Sequence, residues 1–526
     1  VHLLNGLLIY FLTRLLLQSY ADNLGRLKLP DWTPVAITAA WLLNPMELTT
    51  VLYVVQRMTG LASFFILGGL LAYAYGRQRQ MQGKHGMAFI ISGLLGGTAL
   101  AYLSKENGVL LVPFALLIEV IFYRFRKQGS GRDWRIIWLV VILPLSGFLF
   151  LLFTYYSPHR FLAGYASRDF SLHERLLTES RVIWLYIRLI LLPDNRLFGI
   201  WHDDISVSES LLSPPNTLLA VTGIILLFTA SIFLLRKAPL IAFGILWFFV
   251  AHSIESTVLP LEIAHEHRNY LASYGILFTL ITTIVLLLQS NKNYKLAGIV
   301  IVTIIIAYAY VTFERSRLWA NPLQHSILEA ENHPESARAA FEAGRQLLVL
   351  SVDGNEDLQE LGFSYWQKAA QLDKTGITPE LSMIITAENL GIAQDPEWMV
   401  SATHKLAEYP LSKTDLRALN EFLKCLESQQ CQLQTDKTTQ LFKLAAKGNN
   451  PQGLTLLGFY TANILKRYTP AEKAFAAAVH RKPNEPAYRV NYARILIAGR
   501  AWSEALVQLD HAESIDPFKI HQSDIL

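Results

Sequence analysis

The chain has 526 residues, 52% of them hydrophobic and 17% charged, with 46 Lys and Arg against 42 Asp and Glu for a formal charge of +4. It is too apolar for an ordinary soluble protein of this length, which predicts that part of it lies in a membrane, and so small a basic excess gives no reason to expect a nucleic-acid partner. As far as Phe313 the apolar residues form blocks about as long as a bilayer core is thick; beyond it the chain is rich in Ala, Glu and Lys and reads as soluble helix.

The first block, VHLLNGLLIYFLTRLLL, opens inside an apolar helix without an initiator Met, a basic leader or a small-residue cleavage site. It reads as lacking its natural N-terminus, not as a signal peptide. Blocks at about 3–19, 34–44, 50–75, 87–104, 107–124, 135–156, 216–235, 239–254, 270–289 and 296–313 predict roughly ten spans. Alternate turns are basic: Arg14, Arg26 and Lys28; Arg77, Arg79 and Lys84; Arg124, Arg126, Lys127, Arg132 and Arg135; Arg236 and Lys237; Lys292 and Lys295. The positive-inside rule places these on the cytoplasmic face. The intervening turns then share the outer face, and the C-terminal region falls outside with them.

Those outward turns carry the unusual residues. An ionisable group at the edge of a membrane helix is costly unless paired or solvated, so their accumulation on one face marks a candidate site. In NPMELTTVLYVVQRMTG, Glu47 stands at a turn and Arg57 nearly three helical turns later, either as a structural partner for a carboxylate or as a phosphate clamp. In YLSKENGVLL, Lys105 suits neutralisation of a lipid-linked phosphate and Glu106 suits pairing with a neighbouring cation; a local hairpin ion pair is the alternative. His202, Asp203 and Asp204 in LFGIWHDDISVSESLLSPPNT offer a divalent-cation site or an acid and base, or Asp204 caps a helix. Finally, LEIAHEHRNYLASYG brings His265, Glu266, His267, Arg268, Asn269 and Tyr270 to a helix start, with Glu255 and Glu262 before them. The two His, two residues apart, reach one metal only from extended chain. Arg268 opposes the helix dipole there and calls for an anion nearby.

In the C-terminal region, Ala471, Phe475, Ala478 and Pro483 recur as Ala505, Leu509, Ala512 and Pro517, a period of about 34 residues typical of tetratricopeptide repeats. SARAAFEAGRQLLVL and GFSYWQKAAQLDK have the spacing of further degenerate repeats, giving about four to six helix pairs from about Ser336 onward. Cys425 and Cys431, the two cysteines of the chain, either pair in an oxidising compartment or remain buried thiols.

Together these residues resemble the transmembrane O-mannosyltransferase family of GT-C-fold glycosyltransferases, which joins a polytopic domain to C-terminal tetratricopeptide repeats. VHLLNGLLIYFL is similar to that family's H-x-x-N segment, and NPMELTTVLYVVQRMTGLASF to its HP-x-x-x-E segment with a later Arg. LSKENGVLL is similar to its KE-x-G turn and EHRNYLASYGILF to its ER-x-x-Y helix start, while Arg315, Trp319 and Pro334 resemble the junction into the repeats. Asn44 stands where the family often has His, and Ala272 where it often has Pro. The resemblance implies an all-α protein: a GT-C-like polytopic bundle over 1–320 and a tetratricopeptide-like α-solenoid over 321–526.

It further implies transfer of a sugar from a polyprenyl-phosphate donor to the hydroxyl of an acceptor protein captured by the repeats, at a bacterial inner membrane with the solenoid in the periplasm. Glu47, Lys105, Glu106, Glu266 and Arg268 would form the catalytic group, with the family's usual general-base Asp expected upstream of Val1. Arg57, His202, Asp203, Asp204, His265, His267, Asn269 and Tyr270 would bind substrate. No cofactor is firmly implied, and a divalent ion, for which the His202 loop is the candidate, is left open. The competing expectation is a non-catalytic membrane scaffold whose repeats recruit envelope or pilus assembly partners.

Overall fold

A computed structural model describes residues 1–24, 28–128, 131–155, 162, 164–289, 293–351, 354–431 and 435–516. Arg26, Lys292 and Pro517, used above for topology and repeat phase, lie outside the described residues, as does the end of the 135–156 block. Among the described residues every regular element is helical. The chain divides into two units, Val1–His333 and Pro334–Leu526.

The first unit contains α1 (His2–Leu24), α2 (Thr33–Leu42), α3 (Arg57–Met81), α4 (Met87–Ser104), α5 (Glu106–Tyr123), α6 (Trp134–Thr154), α7 (Leu172–Leu191), α8 (Asn216–Lys237), α9 (Pro239–His252), α10 (Ala272–Gln289), α11 (Tyr294–Trp319) and α12 (Pro322–Asn332). Among the described residues seven helices are long and apolar enough to cross a membrane, or eight if α2 and the short helical turn Pro45–Leu52, bent by 49°, count as one broken span. The expected ten therefore becomes seven or eight. Each of the ten apolar blocks is largely helical where it is described, but α9 and α10, like α2 taken alone, are shorter than the seven. Large apolar side chains on α6 and α8, including Phe148, Phe150, Phe153, Leu219 and Phe233, are exposed, a surface suited to hydrocarbon and costly in water.

The unit's core runs through α1, α2, α3, α5, α9 and α10, with Trp41, Tyr73, Phe114, Trp247 and Phe278 at its centre. Phe114 stacks on Trp247 at 4.0 Å. Arg77, counted in a basic turn above, lies inside α3 instead, where it meets Glu119 through two hydrogen bonds of 2.8 and 2.9 Å while Tyr73 donates to the same carboxylate at 2.7 Å. Burial removes water from both charges, and this bidentate geometry, with Phe125 N donating to Glu119 and Arg77 to the Arg126 carbonyl, makes the pair tolerable.

α7 differs from the spans. Its apolar residues fall on one face, and a capping box starts it: Glu174 N donates to Ser171 Oγ, and Ser171 N donates to Glu174 Oε2. In chain order its residues meet Arg268, then His265, then Asn44, then Tyr308, so it runs along the end of the bundle that carries the candidate residues.

The second unit is a run of helices from α13 (Ala337–Leu350) to α22 (Trp502–Ser514), through α14 (Glu356–Leu372), α15 (Thr378–Leu390), α16 (Pro396–Glu408), α17 (Lys413–Glu427), α18 (Thr435–Ala445), α19 (Pro451–Phe459), α20 (Tyr468–Arg481) and α21 (Pro486–Ala498). Each packs mainly on neighbours one or two places away in sequence. Ser336, Asn355, Asp395 and Ser412 cap four of the helices. Ala471, Ala478, Ala505 and Ala512 are all buried, which explains why small residues recur there: they let neighbouring helices approach closely, while Phe475 is buried beside them. Cys425 and Cys431 form a disulfide with Cα atoms 5.3 Å apart.

Candidate functional site

The turns flagged in the sequence meet at one end of the first unit. His2 Nδ1 lies 2.9 Å from the Tyr270 hydroxyl, to which Asn5 also donates at 3.0 Å, and Trp41 Nε1 donates to the Tyr270 carbonyl. Ser273 donates to Glu47 Oε1 at 2.5 Å, leaving the other oxygen of this buried carboxylate without a hydrogen bond. Asn44 caps its own turn through Met46 N and donates to the Ile190 carbonyl, tying the turn to α7.

Lys105 sits between α4 and α5. The chain doubles back there because Gly108 has no side chain: a Cβ would fall 2.2 Å from Tyr102 N. The turn aims Lys105 Nζ at Glu255 Oε1, 2.9 Å away, and at Thr59 Oγ1, 3.2 Å away. Burial disfavours the Glu255 carboxylate, but the Lys105 and Arg268 charges and the hydrogen bonds from Lys105 and Asn107 together outweigh it and hold that carboxyl below its ordinary range. Glu106, expected to pair with a cation, is exposed, because its neighbour's ammonium is turned inward to Glu255. Arg57 is also exposed, at the first turn of α3.

Arg268 donates to the carbonyls of Ile263 at 3.0 Å and Glu262 at 2.7 Å, and lies 3.8 Å from Glu179 Oε1. Arg175 approaches the same oxygen at 2.7 Å and donates to the carbonyls of Glu255, Thr257 and Leu261. The two guanidiniums therefore staple the 255–263 segment while sharing one carboxylate. Burial pushes the Glu179 carboxyl up to about 7, the Arg268 and Arg175 charges opposing it. Sequence reading missed Arg175 and Glu179, since they stand on a polar-looking segment with no motif; a capping box followed by a one-sided apolar stripe was the available signal.

Two cavities flank this wall. A small one of about 30 Å³, with room for roughly one water, has Thr59, Ser63, Lys105, Glu255, His267 and Arg268 in its wall beside apolar residues such as Ile66 and Leu110. A larger groove of about 310 Å³ lies between α7, α8 and α9, where Ile183, Val221, Ile224 and Phe249 surround Glu179, His252 and Ser256. Consecutive residues Glu255 and Ser256 thus line opposite cavities.

His265 and His267 stack with ring centroids 5.1 Å apart, and burial pushes the His267 imidazole well below its ordinary value. Asn269 Nδ2 donates to the Glu266 carbonyl, and its Oδ1 lies 3.2 Å from His252 Nε2. Glu266 Oε2 takes a 2.5 Å bond from Arg315, and its Oε1 accepts from Gly199 N at 2.8 Å. Compared with protein-family models, with curated proteins and with solved structures, the chain matches none.

Glu266 links this seam to the His202 loop. Glu329, on α12, accepts from the backbone N–H groups of Ile200 and Trp201 at 2.5 and 2.9 Å, and burial lifts its carboxyl to about 7. His333 Nδ1 lies 2.8 Å from Asp204 Oδ2. Asp203 is exposed, whereas His202 is buried, its pKa pushed down to about 4 by desolvation and by the neighbouring His333. The expected boundary at 320/321 puts Glu329 and His333 in the C-terminal domain, whereas the first unit extends to His333 and includes both.

Proposed function

We propose that the chain is a membrane transferase that moves a sugar from a polyprenyl-phosphate carrier to an acceptor hydroxyl. The observation that carries this reading is the apolar groove of about 310 Å³ whose polar wall, at Glu179 and Ser256, backs onto the Lys105 and Arg268 seam. Such a pairing fits a ligand with a hydrocarbon tail and an anionic head. The tail would occupy the groove between α7, α8 and α9. The head would draw on Lys105 and Arg268, with the exposed Arg57 as an outer cation. The small cavity beside Lys105 is water-sized, so a phosphate would enter as Lys105 exchanges Glu255 for it.

In the reaction, the acceptor O–H loses its proton to a carboxylate while its oxygen bonds the anomeric carbon. The carbon–oxygen bond to the carrier breaks, and the phosphate leaves with the electron pair, stabilised by the cations. Glu179 is a carboxylate whose buried setting suits the base. Glu47 and Glu266 position the helix start that carries Arg268, through Ser273 and Arg315. The second unit would present the acceptor protein through tetratricopeptide-like repeats. Its disulfide fits an oxidising compartment such as a bacterial periplasm.

A second reading, a membrane-anchored scaffold without catalysis, is favoured by the internal pairing of the seam: Lys105 with Glu255, Arg175 and Arg268 with Glu179, Arg315 with Glu266. Purified full chain incubated with a polyprenyl-phosphate-linked sugar and a hydroxyl-bearing polypeptide separates the two. Transfer that is lost in Lys105→Ala and Arg268→Ala with the fold kept supports the transferase, and transfer retained in both variants overturns the site.

A further inference from the structure

We propose that His202, Asp204 and His333 form a binding site for a divalent transition-metal ion of the zinc class. Three potential ligand atoms, one from each residue, lie within 4.8 Å of one another. Ligand atoms around zinc, each about 2.0–2.2 Å from the metal, stand roughly 3–3.5 Å apart, so movements of the order of an ångström complete the site.

The hydrogen-bond pattern around His333 points to a cation. Its Nε2 lies 3.2 Å from the Phe198 carbonyl, which can only accept, so that nitrogen carries hydrogen. Its Nδ1 then faces Asp204 Oδ2 at 2.8 Å, and a carboxylate is again only an acceptor. Either the imidazole is doubly protonated or a metal ion lies between the two atoms. A metal-ligating His that donates its other N–H to a backbone carbonyl is the usual outer arrangement of such sites.

Two further atoms favour the metal. His202 meets His333 edge-on at 5.7 Å, and His202 Nε2, on a side chain that is 3% exposed, has no hydrogen-bond partner. Asp204 Oδ1 is likewise buried and unpartnered. An imidazolium–carboxylate pair explains neither, whereas a shared ion would take the lone pair of His202 Nε2 and, with the carboxylate bidentate, Asp204 Oδ1 as well as Oδ2.

The loop that delivers His202 and Asp204 is held in place from both sides. Glu266 accepts from Gly199 N, and Glu329 accepts from Ile200 N and Trp201 N. Gly199 permits the approach, since a Cβ there would meet Glu329 Oε1 at 3.0 Å and His333 Nε2 at 3.1 Å. Two imidazoles and one carboxylate are the donor set of zinc-class ions; magnesium and calcium prefer all-oxygen shells. Three protein ligands leave a fourth position, for water or for Glu266, whose Oε1 is 3.9 Å from His202 Nε2. The site would be a binding centre whether or not the chain transfers sugar.

The test uses full-length chain in detergent, stripped with chelator and titrated separately with Zn²⁺, Mn²⁺ and Mg²⁺. The expected result is one equivalent of Zn²⁺ per chain, Mn²⁺ weaker and Mg²⁺ weaker still, with a raised thermal midpoint. His202→Ala and Asp204→Asn should each weaken Zn²⁺ binding by more than the ~10–100-fold typical of losing an outer partner. Asp204→Asn nearly keeps the side chain's shape and guards against loss of folding; His404→Ala, exposed in the second unit, should bind as the unaltered chain does. Absence of a one-equivalent Zn²⁺ site, or one indifferent to both substitutions, overturns the proposal and leaves His333 and Asp204 as an ion pair.

Discussion

Lys105 Nζ lies 2.9 Å from Glu255 Oε1 across 150 residues of sequence, with 4% and 8% of the two side chains exposed. Removing one partner strands a buried charge. Lys105→Met is expected to cost about 3–5 kcal/mol, and the double variant Lys105→Met/Glu255→Gln to recover much of it. Thermal unfolding of the two proteins in the same detergent measures the difference, and equal losses would show that the pair is not coupled.

Glu179 gives a pH dependence whose sign is opposite to that of an ordinary ion-paired carboxylate. Its folded pKa is raised from 4.5 to about 7, so between those values the folded protein holds a proton that the unfolded chain has released. Its contribution to stability is full below about pH 4.5, declines as pH rises and is gone above about pH 7. The rise from 4.5 to about 7 sets an upper value of about 3 kcal/mol. Thermal midpoints of Glu179→Gln should lose this downward slope. If Glu179 is the base, transfer should instead rise through about pH 7, as the carboxylate forms.

Ser273 supplies a hydrogen bond to buried Glu47. Ser273→Ala should cost about 1–3 kcal/mol, since it leaves the Glu47 carboxyl without that donor, and Glu47→Gln should be the milder change. Thermal unfolding of the two variants orders them.

The Cys425–Cys431 bridge closes a short loop, with a sequence separation of 6. Loop-closure entropy for so small a ring predicts a loss of about 2 kcal/mol on Cys425→Ser/Cys431→Ser. Intact mass after alkylation, with and without reductant, should show two thiols blocked only after reduction.

The turns at Glu47, Lys105 and Arg268 were legible in the sequence because charged residues interrupt apolar blocks, and a membrane makes such interruptions expensive. Their partners were not. Glu255 was visible only as one of several acids, and nothing local indicates that Lys105 would choose it over adjacent Glu106. Arg175 and Glu179 lie on α7, which reads as a polar connection until its apolar face finds the end of the bundle. His333 and Glu329 follow the last span, where composition already looks soluble, yet they bond to a loop 128–135 residues earlier. Span number was overread because an apolar block does not disclose whether its helix bends, as at residues 33–52, or falls short, as in α9 and α10.

The central claim, that the first unit holds a lipid-linked phosphate beside the Lys105–Arg268 seam, is tested most directly by binding of polyprenyl phosphate, compared with the uncharged polyprenol, to the full chain in detergent. The account predicts at least ~10-fold tighter binding of the phosphate, corresponding to about 1.4 kcal/mol, with that preference abolished in Lys105→Ala and both lipids weakened by Ile183→Trp in the groove. Equal affinity for the two lipids, or a phosphate preference that survives Lys105→Ala in a folded protein, would contradict it.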